Sequence, residues 1–115
     1  MSTMRNSVQL IGRPGTDPEL KTINNKKFVR FNIAVDDSYL NANREIVSNT
    51  QWFTLVAWNK VAERVMKVVH KGKQIAVEGS LRNNDWTDSN GQHRYSTEIN
   101  IDDIFVIDWM DNKSE

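Results

Sequence analysis

The chain has 115 residues, and its 15 lysines and arginines balance 15 aspartates and glutamates, so the formal net charge is zero. This length bounds one compact domain with a single core and leaves no room for two halves with a cleft between them. The absence of cysteine excludes disulfide scaffolds, cysteine-type zinc sites and thiol nucleophiles, and 2 histidines are too few for a histidine-rich metal site.

Residues 7–11 alternate with period two, as a half-buried strand does, and Gly12-Arg13-Pro14-Gly15 reads as the turn that ends it. Pro18 forbids a regular central strand just beyond. Asn24-Asn25-Lys26 suits a hairpin turn. Residues 28–35 form the next strand, with Val29, Phe31, Ile33 and Val35 on one face and Arg30, Asn32 and Ala34 on the other. Residues 36–49 lack an apolar period and read as a long loop or flexible hairpin tip, a feature uncommon unless functional. The strand over residues 50–58 sets Phe53, Leu55 and Ala57 against Trp52, Thr54, Val56 and Trp58. A short helix follows: Asn59 is its N-cap, Val61, Ala62, Val65, Met66 and Val69 its apolar stripe, and Gly72 its left-handed C-terminal residue. Lys67, His70 and Lys71 occupy the last turn, where the helix dipole favours cations. Residues 74–84 make a fourth strand, and Asn90-Gly91 signals a type I′ hairpin. Residues 94–109 make a long last strand with Ile99, Ile101, Phe105, Ile107 and Trp109 in phase.

Three strands, one helix and two further strands, without repeat or linker, fit an all-β fold: a five-stranded OB-fold Greek-key barrel with one short helix between strands 3 and 4. A β-sandwich is the alternative; a doubly wound α/β sheet would need more crossover helices. The domain is expected over residues 1–110, with residues 111–115 as a short polar end. No apolar run approaches the roughly 20 residues that span a bilayer, and no apolar signal core follows the start. The expectation is a cytoplasmic protein with no membrane partner.

Catalysis finds no support. Asp36-Asp37 and Asp102-Asp103 are paired acids, but strand neighbours point to opposite faces and cannot act on one bond. No nucleophile elbow, phosphate loop or zinc-protease helix occurs, so the chain is expected to be no enzyme and to hold no metal or cofactor. The neutral total conceals an asymmetry: residues 1–82 carry 13 basic and 7 acidic side chains, residues 83–115 carry 2 basic and 8 acidic. A polyanion responds to the field within about a Debye length, roughly 8 to 10 Å, so the zero excludes little.

The aromatic residues are more informative. Of the 4 tryptophans, Trp52 and Trp58 share a face opposite Phe53 and Leu55, and Trp86 lies between Asp85 and Thr87. Parity alone leaves open which of the two faces fills the barrel. With Tyr39 in the long polar segment, the set suits a platform on which bases stack, worth about 1 to 3 kcal/mol per base. Arg44, Lys60, Lys71, Lys73 and Arg82 accompany these aromatics as candidate phosphate partners. The acids of residues 102–115 are expected away from such a groove; Asp85 and Asp88 beside Trp86 do not fit that separation.

Five blocks in order carry a family resemblance: Asn6-Ser7-Val8-Gln9-Leu10-Ile11-Gly12-Arg13-Pro14-Gly15-Thr16-Asp17-Pro18-Glu19; Thr50-Gln51-Trp52; Trp58-Asn59-Lys60-Val61-Ala62-Glu63; Lys71-Gly72-Lys73-Gln74-Ile75-Ala76-Val77-Glu78-Gly79-Ser80-Leu81-Arg82; and Trp86-Thr87-Asp88 with Gly91-Gln92-His93-Arg94-Tyr95-Ser96-Thr97-Glu98. From about residue 5 to residue 107 the chain resembles the bacterial single-stranded DNA-binding proteins. The resemblance implies an OB-fold homotetramer, nucleoid-associated in the cytoplasm, that wraps single-stranded DNA without sequence preference in replication, recombination and repair. It puts the family's stacking aromatics on Tyr39, Trp52, Trp58 and Trp86, and its backbone-contacting cations on Lys60, Lys71 and Arg82. The segment with Tyr39 and Arg44 and the hairpin at Asn90 would be arms that close over the strand.

Three departures bear on that expectation. Ser7 stands where a lysine is common, and Asn84 and Asp85 stand where basic residues are often found. Fewer cations facing phosphates imply weaker binding and a salt slope shallower by about 0.7 log units for each phosphate left unpaired. The acidic tip that recruits other replication proteins has no counterpart in Asn112-Lys113-Ser114-Glu115, so tail-dependent partners are not expected, whether this is a tailless mobile-element relative or a truncated core. The alternative function is an OB-fold interaction module of a primosome or mobile element with reduced affinity for single strands.

Overall fold

The computed structural model describes residues 4–107. Eight strands and one helix occur in the order β1 (Val8–Pro14), β2 (Leu20–Ile23), β3 (Lys26–Asp36), β4 (Tyr39–Leu40), β5 (Ile46–Val47), β6 (Thr50–Trp58), α1 (Asn59–Val68), β7 (Ile75–Thr87) and β8 (His93–Val106). β1 pairs with β7 from Val8 to Gly12 and with β3 through Arg13 and Pro14. β3 pairs with β6, β6 runs parallel to β8 at Leu55 and Val56, and β8 pairs with β7. The ring β1, β7, β8, β6, β3 therefore closes on itself as a five-stranded barrel, with β2 added outside β3.

Period-two alternation sets the inside of that ring. Val29, Phe31, Ile33, Leu55, Ala57, Ile75, Val77, Ile99, Ile101 and Ile104 are buried together, and Ala62, Val65 and Val69 of α1 join the same core. The parity left open for β6 is decided: Leu55 and Ala57 point in with Phe53 packed against them, while Trp52 is 60% and Trp58 37% exposed outside.

Several local expectations are corrected. Gly12-Arg13-Pro14 is not a turn but the end of β1, where the strand passes from β7 to β3. A Cβ on Gly12 would stand 2.5 Å from the Ala34 carbonyl oxygen, so the crossing requires a residue without a side chain. Asn59 is not a capping side chain. Trp58 occupies the N-cap position, no side chain bonds there, and Asn59 has a left-handed φ of 54°, the turn from strand into helix. The helix ends at Val68, so His70, Lys71 and Gly72 lie in the turn beyond it, where Gly72 has φ 80°. β7 continues to Thr87, further than expected. The hairpin after it has only Gly91 at positive φ, 80°, with Gly91 N–H bonded to the Asp88 carbonyl and Asp88 N–H to that of Gln92. This is a three-residue loop with a left-handed glycine and not a two-residue type I′ turn.

The last strand also departs from the simple alternation. Gly79 faces Ile101 and Glu78 faces Asp103, so Asp102 is an extra residue on β8. Such a bulge reverses the phase beyond it: Ile104 is fully buried and Phe105 is 52% exposed. Residues 108–115, with Trp109 and the expected domain boundary at 110, lie outside the described residues. No helix among the described residues is long and apolar enough to cross a membrane.

Candidate nucleic-acid interface

The outward faces of four neighbouring strands form one surface. On β3 these residues are Phe28, Arg30, Asn32 and Ala34; opposite them on β6 stand Trp58, Val56, Thr54 and Trp52. The next strand, β8, contributes Asn100, Glu98, Ser96 and Arg94, paired with Ser80, Arg82, Asn84 and Trp86 of β7. Three of the four candidate stacking residues, Trp52, Trp58 and Trp86, thus share one face. Trp58 follows Trp52 by six steps along β6, about 20 Å at a strand's rise per residue.

At the centre lies a groove lined by Ile23, Phe28, Arg30, Val56, Trp58, Arg82, Asn83, Asn84, Glu98 and Asn100. Its floor is apolar: Phe28 and Val56 point outward yet are 6% and 5% exposed. The Phe28 and Trp58 rings lie 4.6 Å apart between centroids at 48°, and the Arg30 guanidinium sits 5.0 Å from the Phe28 centroid. Arg30 Nε also donates to Glu98 Oε2 at 3.0 Å. Trp58 is thereby held on a buried aromatic base, with its outer surface left open for a flat ligand.

The arms extend from this face. β4 and β5 continue the β3 and β6 ladder as a hairpin, the second of the two forms expected of this segment, pairing Tyr39 with Val47 and Leu40 with Ile46. Its tip is closed by Asn41, whose side-chain oxygen accepts from the N–H groups of Asn43 and Glu45, and Arg44 has φ 63° there. Tyr39 is 56% exposed. At the arm's base Asp36 accepts from the hydroxyl and N–H of Ser38, which hold its carboxyl below the ordinary range.

The β7 and β8 arm presents Trp86 at 45% exposure. Asp85, adjacent in sequence, falls on the opposite face, 3.8 Å from His93 Nε2. Asp88 is occupied at the tip: it accepts from Arg94 Nε at 2.8 Å and from the N–H groups of Gln92 and Asn90, which together lower its pKa. Neither acid confronts the Trp86 face as a free charge.

Of the basic candidates, only Arg82 lines the groove. Lys60 is exposed in the first turn of α1, directly after Trp58 and Asn59. Lys71 and Lys73 are exposed in the turn beyond the helix, which is tied to β1 by a bond from Gly72 N–H to the Pro14 carbonyl. They are outside the groove. Lys71 N–H donates to Asp17, and Asp17 lines a smaller depression that includes Phe28 and Arg30, so this turn borders the surface on the β2 side. Arg44 is at the end of its arm.

Phe28, Arg30, Glu98 and Asn100 were missed in the sequence. The alternation of β3 and β8 turns these side chains outward, but only the strand register brings them together. Among the described residues no three potential ligands form a metal-holding group.

The single-strand binding protein family matches residues 5–107 of the chain. Single-stranded DNA-binding protein 1 of Chlorobaculum tepidum is 32% identical over 109 residues, and the single-stranded DNA-binding protein of Bacteroides thetaiotaomicron is 40% identical over 105. These alignments take in 93% and 89% of this chain but 67% and 65% of those proteins, so the chain spans about two thirds of their length. A solved Plasmodium falciparum SSB in complex with ssDNA superposes with a TM-score of 0.82 at 29% identity, over 94% of this chain and 99% of that one. The closed five-stranded barrel and the family match agree: the chain belongs to the single-strand binding protein family.

Proposed function

We propose that the chain binds single-stranded DNA without sequence preference, and so protects and organises it in replication, recombination and repair. The observation that carries this reading is the common face of Trp52, Trp58 and Trp86 around a groove edged by Arg30 and Arg82. Every base offers a π-face to such side chains, while cations along the groove meet phosphates whatever the sequence. Tyr39 and Trp86 on the two arms extend the stacking set, and Arg44, Lys60, Lys71 and Lys73 serve as outlying phosphate partners. Titrating tryptophan fluorescence with oligothymidylate tests it: strong quenching is expected, and a flat titration at low salt overturns the reading.

The same reading includes assembly into a homo-oligomer, a homotetramer by family resemblance. Among the described residues, one edge of β1 pairs with no strand over residues 8–11, since β3 joins at Arg13 and Pro14. Beside it Ile11, Ala76 and Phe105 lie in a row across three strands, with Ile11 53% and Phe105 52% exposed. An exposed edge next to an apolar row suits pairing with a second copy. Ile11→Glu is expected to lower the sedimenting mass at micromolar concentration; a monomeric parent protein would contradict the assembly. A nucleoid-associated place in the cytoplasm follows from the proposed ligand.

A further inference from the structure

Among the described residues that line it, the groove holds one acid, Glu98. Glu98 has a side chain only 13% exposed, lies on the outward face of β8 and accepts from Arg30 Nε at 3.0 Å. Directly across the ladder stands Arg82, the groove's second arginine. A carboxylate among the side chains that would receive a polyanion opposes binding through its charge, yet it satisfies the same guanidinium fork that a phosphate would.

We propose that Glu98 is an internal stand-in for phosphate: in the free protein it holds Arg30, and a bound strand takes Arg30 over with its own phosphate oxygen. This inference rests on the single-strand-binding reading above and adds to it a residue that tunes affinity. Arg30 can make the exchange with little movement, because its side chain is 48% exposed and its guanidinium already lies over the Phe28 ring that supports Trp58. The base stacked on Trp58 and the phosphate beside it would therefore engage two ends of one row: Trp58, Phe28, Arg30. Until that exchange Glu98 keeps Arg30 ordered and its charge neutralised. Weaker anions that cannot stack are then excluded from the site, since they would have to displace a partly buried carboxylate without the compensation of stacking. Glu98 is in this sense a positioning residue for Arg30 and a discriminator between a nucleic-acid strand and a simple anion.

The test is a thermodynamic cycle on the full chain, using Glu98→Gln, Arg30→Gln and the double variant, each titrated with oligothymidylate over a range of salt concentrations. Wild-type quenching establishes the parent reading separately. Glu98→Gln is expected to bind several-fold more tightly at low salt with its slope of log K against log salt close to that of the wild type, because the strand pairs the same phosphate with Arg30 in both proteins and only the carboxylate to be displaced is gone. In the Arg30→Gln background, removing Glu98 is expected to tighten binding much less, and Arg30→Gln alone to flatten the slope by about 0.7. An unchanged or weakened Glu98→Gln, or an equal tightening with and without Arg30, overturns the proposal, the latter by showing that only the general field had changed. Thermal unfolding of each variant checks folding, and Glu98→Ala replaces the glutamine variant, with the same expected outcomes, should that one not fold.

Discussion

Trp52 and Trp58 stand on the same face of β6 but have different structural obligations. Trp52 is 60% exposed and rests against Gly15, where an added Cβ would lie 2.9 Å from its ring. Trp58 is 37% exposed and covers Phe28. Trp52→Ala should therefore weaken oligothymidylate binding by about 5- to 150-fold, the equivalent of 1 to 3 kcal/mol of stacking, with unfolding free energy altered by only about 0.5 kcal/mol. Trp58→Ala should show a comparable weakening of binding together with a destabilisation of about 1 to 2 kcal/mol, because it returns apolar ring surface of Phe28 to water. Fluorescence titration and urea unfolding of the two variants check the contrast; equal destabilisation would contradict it. Strand parity alone placed the two tryptophans on one face of β6 but left open whether that face fills the barrel, which the burial of Leu55 and Ala57 decides. Phe28 was not singled out, because an apolar residue at the start of an alternating run reads as core, and only its pairing with Trp58 puts it on the outward face.

The arms are where element-level signals were weakest. Residues 36–49 have no apolar period, yet the backbone closes into a hairpin, since Asp37 N–H bonds to the Asn49 carbonyl and Asn41 organises the tip. Side-chain to backbone bonds replace the hydrophobic pattern there, so periodicity had nothing to detect. The bulge at Asp102 was likewise invisible, because an inserted residue changes phase without changing composition. On the longer arm the tip depends on Asp88, whose carboxyl is held below its ordinary value of 3.8 by Arg94 first, then by the N–H of Gln92, with the N–H of Asn90 adding to them. A carboxyl with a lowered folded pKa contributes stability that is present above its unfolded value and lost as pH falls through the folded one. The contribution of Asp88 to the tip should thus be unchanged from neutrality down to about 4 and be lost only below, with the Asp88 side-chain resonance titrating under 3.8 in NMR. Asp88→Ala should remove this titration and weaken binding several-fold at neutral pH, as Trp86 becomes less ordered on its arm.

Across the whole molecule, a net charge of zero becomes compatible with a polyanionic ligand once the charges are placed. Asp102 and Asp103 lie on β8 beyond the groove residues, near Glu78; Asp85 faces away from Trp86, and Asp88 is occupied by Arg94. What remains at the groove is a small number of cations around a larger aromatic surface: Arg82 across the ladder from Glu98, Arg30 held by Glu98, and lysines at the margins. Stacking has no counterion to release, whereas each phosphate paired with a cation steepens the salt dependence by about 0.7. The two contributions should therefore separate in one measurement. Arg82→Gln is expected to flatten the plot of log K against log salt by about that amount while leaving the amplitude of tryptophan quenching unchanged. Trp58→Ala is expected to displace the whole plot downward with its slope retained, and to reduce the quenching. If the arginine variant bound more weakly without a change of slope, or the tryptophan variant flattened the plot, charge and stacking would not be divided between these side chains, and the neutral total would need a different explanation.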